Sequence, residues 1–293
     1  MTRPRIAPTT PPRISVKRFT PGLGRKTLEV KNPATAPKII QKKISINLSI
    51  LEVMKKVEVS VVIPAYNEEK NIGKSLKSLS QQETDKGFEV VVVDNNSTDG
   101  TAKVASGFTG KLNMRVIKEL KKGRGAARAR GYKEAKGDII FSTDADTIVA
   151  KDWLENGLKY FNDRKVVGIT GPWRVNDVAG FAKFFLNHFQ EILSVYPAML
   201  IFGHPWLTGF NLAVRRPAYE KCGGFDADLN AYEDIDLTMR LRKFGKIKYA
   251  WKMKVVTSGR RYKKGILHGL WDYQKLTIQH FFSKKMVYLE DDR

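Results

Sequence analysis

Val57-Glu-Val-Ser-Val-Val-Ile63 runs straight into Pro64-Ala-Tyr-Asn-Glu68. A strand that is apolar almost throughout is buried on both faces, which is the condition of a parallel sheet packed between helices. The stretch therefore predicts an interior strand with a polar loop at its carboxyl end. The pattern repeats along the chain. Asn71 to Gln81 reads as a helix and Glu89-Val-Val-Val-Val93 as a second strand; Thr98 to Ser106 reads as a helix and Met114 to Ile117 as a strand. Gly125 to Lys136 is an Ala/Arg-rich helix, and Asp138-Ile-Ile-Phe-Ser142 is a fourth strand. Strands alternating with helices predict an α/β fold, a Rossmann-like, mostly parallel sheet with helices on both faces.

In such sheets ligands bind beyond the carboxyl ends of the strands. Three polar clusters fall there: Pro64 to Glu68, Asp94-Asn-Asn-Ser-Thr-Asp-Gly100, and Thr143-Asp-Ala-Asp146. No GxGxxG follows a strand, so a dinucleotide fingerprint is excluded. Asp144 and Asp146, two apart in extended chain, point the same way and can face one ion. Their hard oxygens suit Mg²⁺ or Mn²⁺, with positions left for the oxygens of a substrate diphosphate. Asp94 ends another strand of the same sheet and is placed to accept hydrogen bonds from a nucleobase, while Ser97 or Thr98 caps the helix that follows.

The catalytic unit is assigned to residues 57–293, one domain. Residues 1–56 form a basic extension. Up to residue 57 there are 13 Lys and Arg against Glu29 and Glu52, half of the whole chain's net charge of +22. Pro4, Pro8, Pro11 and Pro12 among Arg and Thr make a composition that cannot bury enough apolar surface to offset chain entropy, so disorder is expected there. The Arg/Ser/Thr mix has the flavour of a transit peptide, and Met54-Lys-Lys-Val reads equally as the beginning of an independent protein. Cys222 is the only cysteine, which excludes an intramolecular disulfide and fits a reducing cytosol. Ile192 to Val214 is uncharged and long enough to span a bilayer core, yet Pro197, Gly203, Pro205 and Gly209 would break such a helix.

Seven blocks carry a resemblance. Ser60-Val-Val-Ile-Pro-Ala-Tyr-Asn-Glu-Glu69, Val93-Asp-Asn-Asn-Ser-Thr-Asp-Gly-Thr101, Gly123-Arg-Gly-Ala-Ala-Arg-Ala-Arg-Gly131 and Thr143-Asp-Ala-Asp-Thr147 come first. Thr208-Gly-Phe-Asn-Leu-Ala-Val-Arg-Arg216, Gly223-Gly-Phe-Asp226 and Glu233-Asp-Ile-Asp-Leu237 complete the series. In order and spacing they resemble the family 2 glycosyltransferases, with the GT-A fold. The resemblance implies a metal-dependent, inverting transfer of a sugar from a nucleotide diphosphate to an acceptor hydroxyl. It implies a nucleoside pocket at Pro64, Ala65, Tyr66 and Glu68, with Glu68 on the ribose, Asp94 on the base and Arg128 reaching the nucleotide from the third helix. It makes Asp146 the more direct metal ligand, with Asp144 a ligand or a contact to ribose or sugar, and offers His268 as a third ligand, a structural histidine being the other reading. Gly209, Asn211 and Glu233 are then expected beside the sugar and acceptor. Arg130 stands where many relatives carry Asn, which suggests a different approach of that helix to the donor.

The base is argued from helix geometry as well. Neighbouring side chains on a helix do not share a face, so one acid of Glu233-Asp234 is expected to enter the cleft. Asp234 lies on the stripe of Leu237 and Leu241, and the family's base is the Asp of this pair. Arg260 and Arg261 resemble a basic motif that clamps phosphate; a solvated basic loop is the alternative reading.

The apolar helix from Phe181 to Leu193 leaves two readings open. It packs in the core against the sheet, or it lies at a membrane interface, where the basic 240–264 stretch would be drawn to anionic lipid. The expected partners are thus a nucleotide-sugar donor and a glycan or lipid-linked acceptor, with peripheral contact to the cytoplasmic membrane face and no specific nucleic acid. Two rivals stand beside this reading. A sugar-nucleotide nucleotidyltransferase would carry a Gly-rich Lys/Arg loop after the first strand, where Pro64 to Glu68 stands instead. A basic nucleic-acid binder is favoured by charge alone.

Overall fold

The computed structural model describes residues 57–262 and, outside them, only the short strands Ser15–Val16 and Leu28–Glu29, which pair antiparallel. The chain divides into two units, residues 1–56 and 57–293. The remainder of the extension expected to be disordered, and His268, lie outside the described residues.

The predicted alternation is present from residue 59. Strands β1 (Val59–Ala65), β2 (Phe88–Asp94), β3 (Met114–Lys118) and β4 (Ile139–Thr143) pair in parallel in the order 4-1-2-3. Helices α1 (Ile72–Leu79), α2 (Thr101–Ser106) and α3 (Arg124–Glu134) connect them. After β4 come the short strand β5 (Ile148–Val149), helix α4 (Trp153–Leu158), strand β6 (Val166–Thr170) and strand β7 (Trp173–Val175). Then follow α5 (Gly180–Gln190), a five-residue π turn, and α6 (Tyr196–Phe202). The chain returns as β8 (Asn211–Arg215), α7 (Arg216–Lys221), α8 (Glu233–Leu241), β9 (Lys246–Tyr249) and β10 (Val255–Thr257).

The main sheet has seven strands in the order 9-6-8-4-1-2-3. Strand β8 lies between β4 and β6, antiparallel to both, and the other six strands run one way. That reversal puts the beginning of β8 at the carboxyl edge of its neighbours: Asn211 pairs with Thr143, the last residue of β4. Strands β5, β10 and β7 form a second, three-stranded sheet.

Both faces of the main sheet are covered, as two-sided apolar strands require. On one face Val61, Ile63 and Phe141 meet Leu76 and Trp153; on the other Val62, Val93 and Ile140 meet Tyr132 and Leu237. Helix α3 sits directly on the strands. A β-carbon at Gly131 would lie 2.3 Å from Val62 Cγ1 and 2.8 Å from Val93 Cγ2.

One expectation is met and one is corrected. The Ile192–Val214 stretch is split among the π turn, α6 and β8, broken at Gly203 with φ 74°. Among the described residues no helix is long and apolar enough to cross a membrane. The helix beginning at Phe181 is not core: Phe181 is 72 % exposed and Phe184 52 %.

Gly131→Ala is expected to lower stability by about 1–3 kcal/mol, because the added methyl overpacks two strands at once. A shift of the urea midpoint with an unchanged slope would show it.

Candidate active site

The first two loops are built as one unit. Pairing of Ala65 with Asp94 brings the ends of β1 and β2 together. Asn67 N donates to Ser97 Oγ at 3.0 Å, Thr98 N to Asn67 Oδ1 at 2.9 Å, and Glu68 N to Thr101 Oγ1 at 2.8 Å. Asn67 and Asn96 have φ of 52° and 62°, a left-handed conformation that asparagine tolerates better than most residues. Asp94 is buried and accepts from Ser97 N at 3.2 Å. Asn95 ties in the third loop, donating to the carbonyls of Glu119 and Lys121 and accepting from Gly123 N. Pro64, Ala65, Tyr66 and Glu68 thus line the same edge as Asp94. Tyr66 is half-buried, with Lys122 Nζ 5.9 Å above its ring.

Arg128 is turned into the protein, where the sequence led us to expect contact with the nucleotide. It leaves α3 beneath the strand ends and is 2 % exposed. Its guanidinium donates to Asp144 Oδ1 (2.8 Å), Ser142 Oγ (2.7 Å), the Gly209 carbonyl (2.8 Å) and Glu233 Oε1 (3.2 Å). Burial works against its charge, but Asp144, Glu233 and Asp234 outweigh it, so the group is held protonated above its ordinary pKa. A β-carbon at position 209 would come within 2.5 Å of Arg128 Nη2. With that guanidinium pinned by four bonds, only glycine fits there. Ser142, an acceptor in this network, carried no signal in the sequence.

Both acids of the Glu233-Asp234 pair point inward. Helix geometry suggested one, but Glu233 is the first residue of α8 and follows Tyr232, whose φ is 60°. The chain is still turning there, so Glu233 escapes the helical spacing and reaches Arg128. Asp234 Oδ2 accepts from Gly209 N at 2.9 Å, and its Oδ1 accepts from Ile235 N. Burial, reinforced by the neighbouring Glu233 charge, pushes the Asp234 carboxyl up to about 6 against the pull of Gly209 N and Arg128.

Asn211, expected beside the sugar or acceptor, is a strut inside the fold. It is fully buried; Trp153 Nε1 donates to its Oδ1 at 2.9 Å, and its Nδ2 donates to the carbonyls of Pro172 and Met253. Arg130 is exposed on α3 and pairs with Glu134 at 3.1 Å one turn on.

The far end of the described chain returns to this edge. Arg260 Nη2 lies 2.7 Å from Asp146 Oδ2 and 2.8 Å from Glu68 Oε1. Burial disfavours its charge; Asp146, Glu68 and Asp144 more than restore it. Asp177, which the sequence did not flag, anchors this turn by accepting from Ser258 Oγ at 2.5 Å and Gly259 N at 2.6 Å. Arg261 lies in the same turn.

Asp144 and Asp146 offer oxygen donors only, just past the end of β4. Among the described residues no three or more His, Cys, Asp or Glu side chains gather into a metal cage. Two carboxylates without a cage fit a hard divalent ion of the Mg²⁺ type, which takes one or two carboxylates and completes its shell with waters and substrate phosphates.

Known proteins share this architecture. The mannosyltransferase PcManGT from Pyrobaculum calidifontis, solved in complex with GDP-Man and Mn²⁺, superposes with a TM-score of 0.60 at 23 % identity, over 81 % of this chain and 70 % of its own. Residues 1–349 of TarS from S. aureus, in complex with UDP-GlcNAc, give a TM-score of 0.56 at 23 % identity, over 70 % of this chain and 59 % of that one. These likenesses show the GT-A fold. In sequence, the chain is 34 % identical over 204 residues to the probable glycosyltransferase YdaM of Bacillus subtilis (strain 168), covering 64 % of this chain and 47 % of YdaM. It spans less than two thirds of the length of the first curated relatives it matches. The description of the family model "Glycosyl transferase family 2" matches residues 60–223, more than half of the chain. The chain therefore belongs to glycosyl transferase family 2.

Proposed function

We propose that the protein transfers a sugar from a nucleotide diphosphate to an acceptor hydroxyl with inversion, using Asp234 as the base. The observation that carries this reading is the Arg128 cluster. One buried guanidinium joins Asp144 of the donor edge to Glu233 and the Gly209 carbonyl of the acceptor edge. Donor loop and base helix are thus held in one frame, as a reaction between two bound molecules requires.

The nucleoside is read as resting against Pro64, Ala65 and Tyr66, with Glu68 on the ribose and Asp94 on the base. Asp144 and Asp146 would hold Mn²⁺ or Mg²⁺ at the diphosphate; when bound, the ion supplies a positive charge against the charge growing on the leaving nucleotide. Arg260 contributes a second cation there, and Arg261 is assigned the same role. Asp234 accepts the acceptor's hydroxyl proton while that oxygen attacks the anomeric carbon from the face opposite the diphosphate. The C–O bond to the nucleotide breaks as the new one forms. The hydrogen bond from Gly209 N keeps the Asp234 carboxylate oriented for this. The bound GDP-Man, UDP-GlcNAc and Mn²⁺ of the structural neighbours support a nucleotide-sugar donor and a divalent ion.

Because the carboxyl of Asp234 is raised to about 6, the active, deprotonated base is lost as pH falls through that value. The ratio kcat/KM, which reports the groups of the free enzyme, is expected to decline on the acid side with a midpoint near 6, where an ordinary aspartate would give about 3.9. Replacement by Asn should lower kcat by about 10²–10⁴-fold while donor binding changes little.

Asp146→Ala tests the donor side. Calorimetric titration with UDP, GDP and dTDP sugars, each with and without Mn²⁺, should show one donor whose binding needs both the ion and Asp146. No metal-dependent binding by any donor would reject the assignment.

A further inference from the structure

Nine of the fourteen large apolar side chains exposed among the described residues fall between Phe181 and Phe202. Leu200 is 88 % exposed and Ile201 70 %. An ordinary surface helix turns its apolar stripe inward and its polar face to water. Here the fastening is polar and faces inward. Asn187 of α5 clamps the backbone of β7, accepting from Val175 N at 2.8 Å and donating to Val175 O at 3.0 Å, and Glu191 pairs with Arg174 at 2.7 Å. Leu186, Val195 and Ala198 complete the buried side. What remains outside is mostly apolar: beside the exposed Lys183 and His188, the only charged residue from 180 to 202 is the buried, paired Glu191.

The border of this face is aromatic and cationic. Tyr196 lies 6.0 Å from Trp251, ring to ring, and Trp251 packs edge-on against Tyr249 at 4.6 Å. The segment beside α6 therefore carries the exposed Lys248, Lys252 and Lys254. Past the other end of α6, Arg242 is hydrogen-bonded at 3.0 Å to His204, whose ring adjoins Phe202. No acid occurs between Arg240 and Lys264.

We infer that α5 and α6 dock this face onto an anionic lipid bilayer, the apolar side chains entering the headgroup boundary and the lysines and arginine meeting lipid phosphates. An apolar patch rimmed by cations is the composition that binds such an interface, and Tyr and Trp are the residues that settle at its edge. A second copy of the chain fits less well, since two such faces brought together would oppose their cations with no acid to neutralise them. The inference stands on the surface and not on the transfer reaction. Joined to that reaction, it confines the acceptor to a hydroxyl presented at a membrane. Gly209, bonded to Asp234, follows Phe202 by seven residues, a reach of at most about 25 Å.

Cosedimentation of the full chain with vesicles tests it, using phosphatidylcholine alone or with phosphatidylglycerol as about a third of the lipid. The wild-type protein should partition to the anionic vesicles. The double variant Leu200→Glu/Ile201→Glu should partition about tenfold less or weaker still, because two apolar side chains no longer leave water. Lys252→Ala/Lys254→Ala should lose roughly fivefold per charge, a difference that vanishes at about 1 M salt. The basic extension is common to all three proteins, so the differences read the helical face and its basic border. Circular dichroism and the thermal midpoint of each variant verify the fold whether or not a donor binds. Equal partition of wild type and both variants would overturn the inference. So would a wild-type dimer that the Leu200→Glu/Ile201→Glu change splits, without difference on vesicles; that result would assign the face to self-association.

Discussion

A single buried guanidinium holds the two halves of the site together. Arg128 reaches four partners on three separate segments of chain. A buried cation is tolerable only where opposite charge and hydrogen bonds surround it, and here Asp144 and Glu233 supply the charge. The same requirement dictates glycine at 209 and fixes the carbonyl of the residue whose N–H holds Asp234. Remote parts of the chain are thus registered to one another by electrostatics in a dry place, where such interactions are strongest.

A second tie closes the same edge of the sheet from the far end of the described chain. Arg260 stands between Glu68 and Asp146, residues that belong to the first and fourth strand loops. Asp177 holds the turn that presents it. The small sheet β5-β10-β7 explains how this is arranged: β10 pairs with both β5, just after Asp146, and β7, just before Asp177. Three stretches distant in sequence are gathered there by backbone pairing, and Arg260 follows directly.

Much of this was legible in the sequence, for a physical reason. Continuous β-branched runs admit few readings other than buried parallel strands, so β1 to β4 and α1 to α3 fell within a few residues of their predicted bounds. The polar loops declared themselves because they interrupt those runs at one edge. What stayed hidden was whatever depends on side-chain direction. Asn211 sits in a motif suggesting the cleft, yet its strand position points it into the core beneath Trp153. Glu233 was misjudged because helical spacing does not hold at a first residue preceded by a left-handed tyrosine. Ser142 and Asp177 were unreadable, since a serine within a strand and an aspartate in a loop carry no periodicity. The apolar helix was ambiguous because periodicity tells how a helix is divided, and not which side faces the protein.

The antiparallel strand at the centre of the sheet also bears on how the molecule comes into being. Strands β4 and β6 are separated by about two dozen residues in sequence, but neither touches the other; β8, some forty residues later, fills the gap. During synthesis both would wait with open edges, the condition in which β-structure is slowest to form and most exposed to wrong partners. The strand that relieves them begins at Asn211, just after Gly209. Completion of the sheet and assembly of the reactive edge are therefore a single event in the birth of the chain.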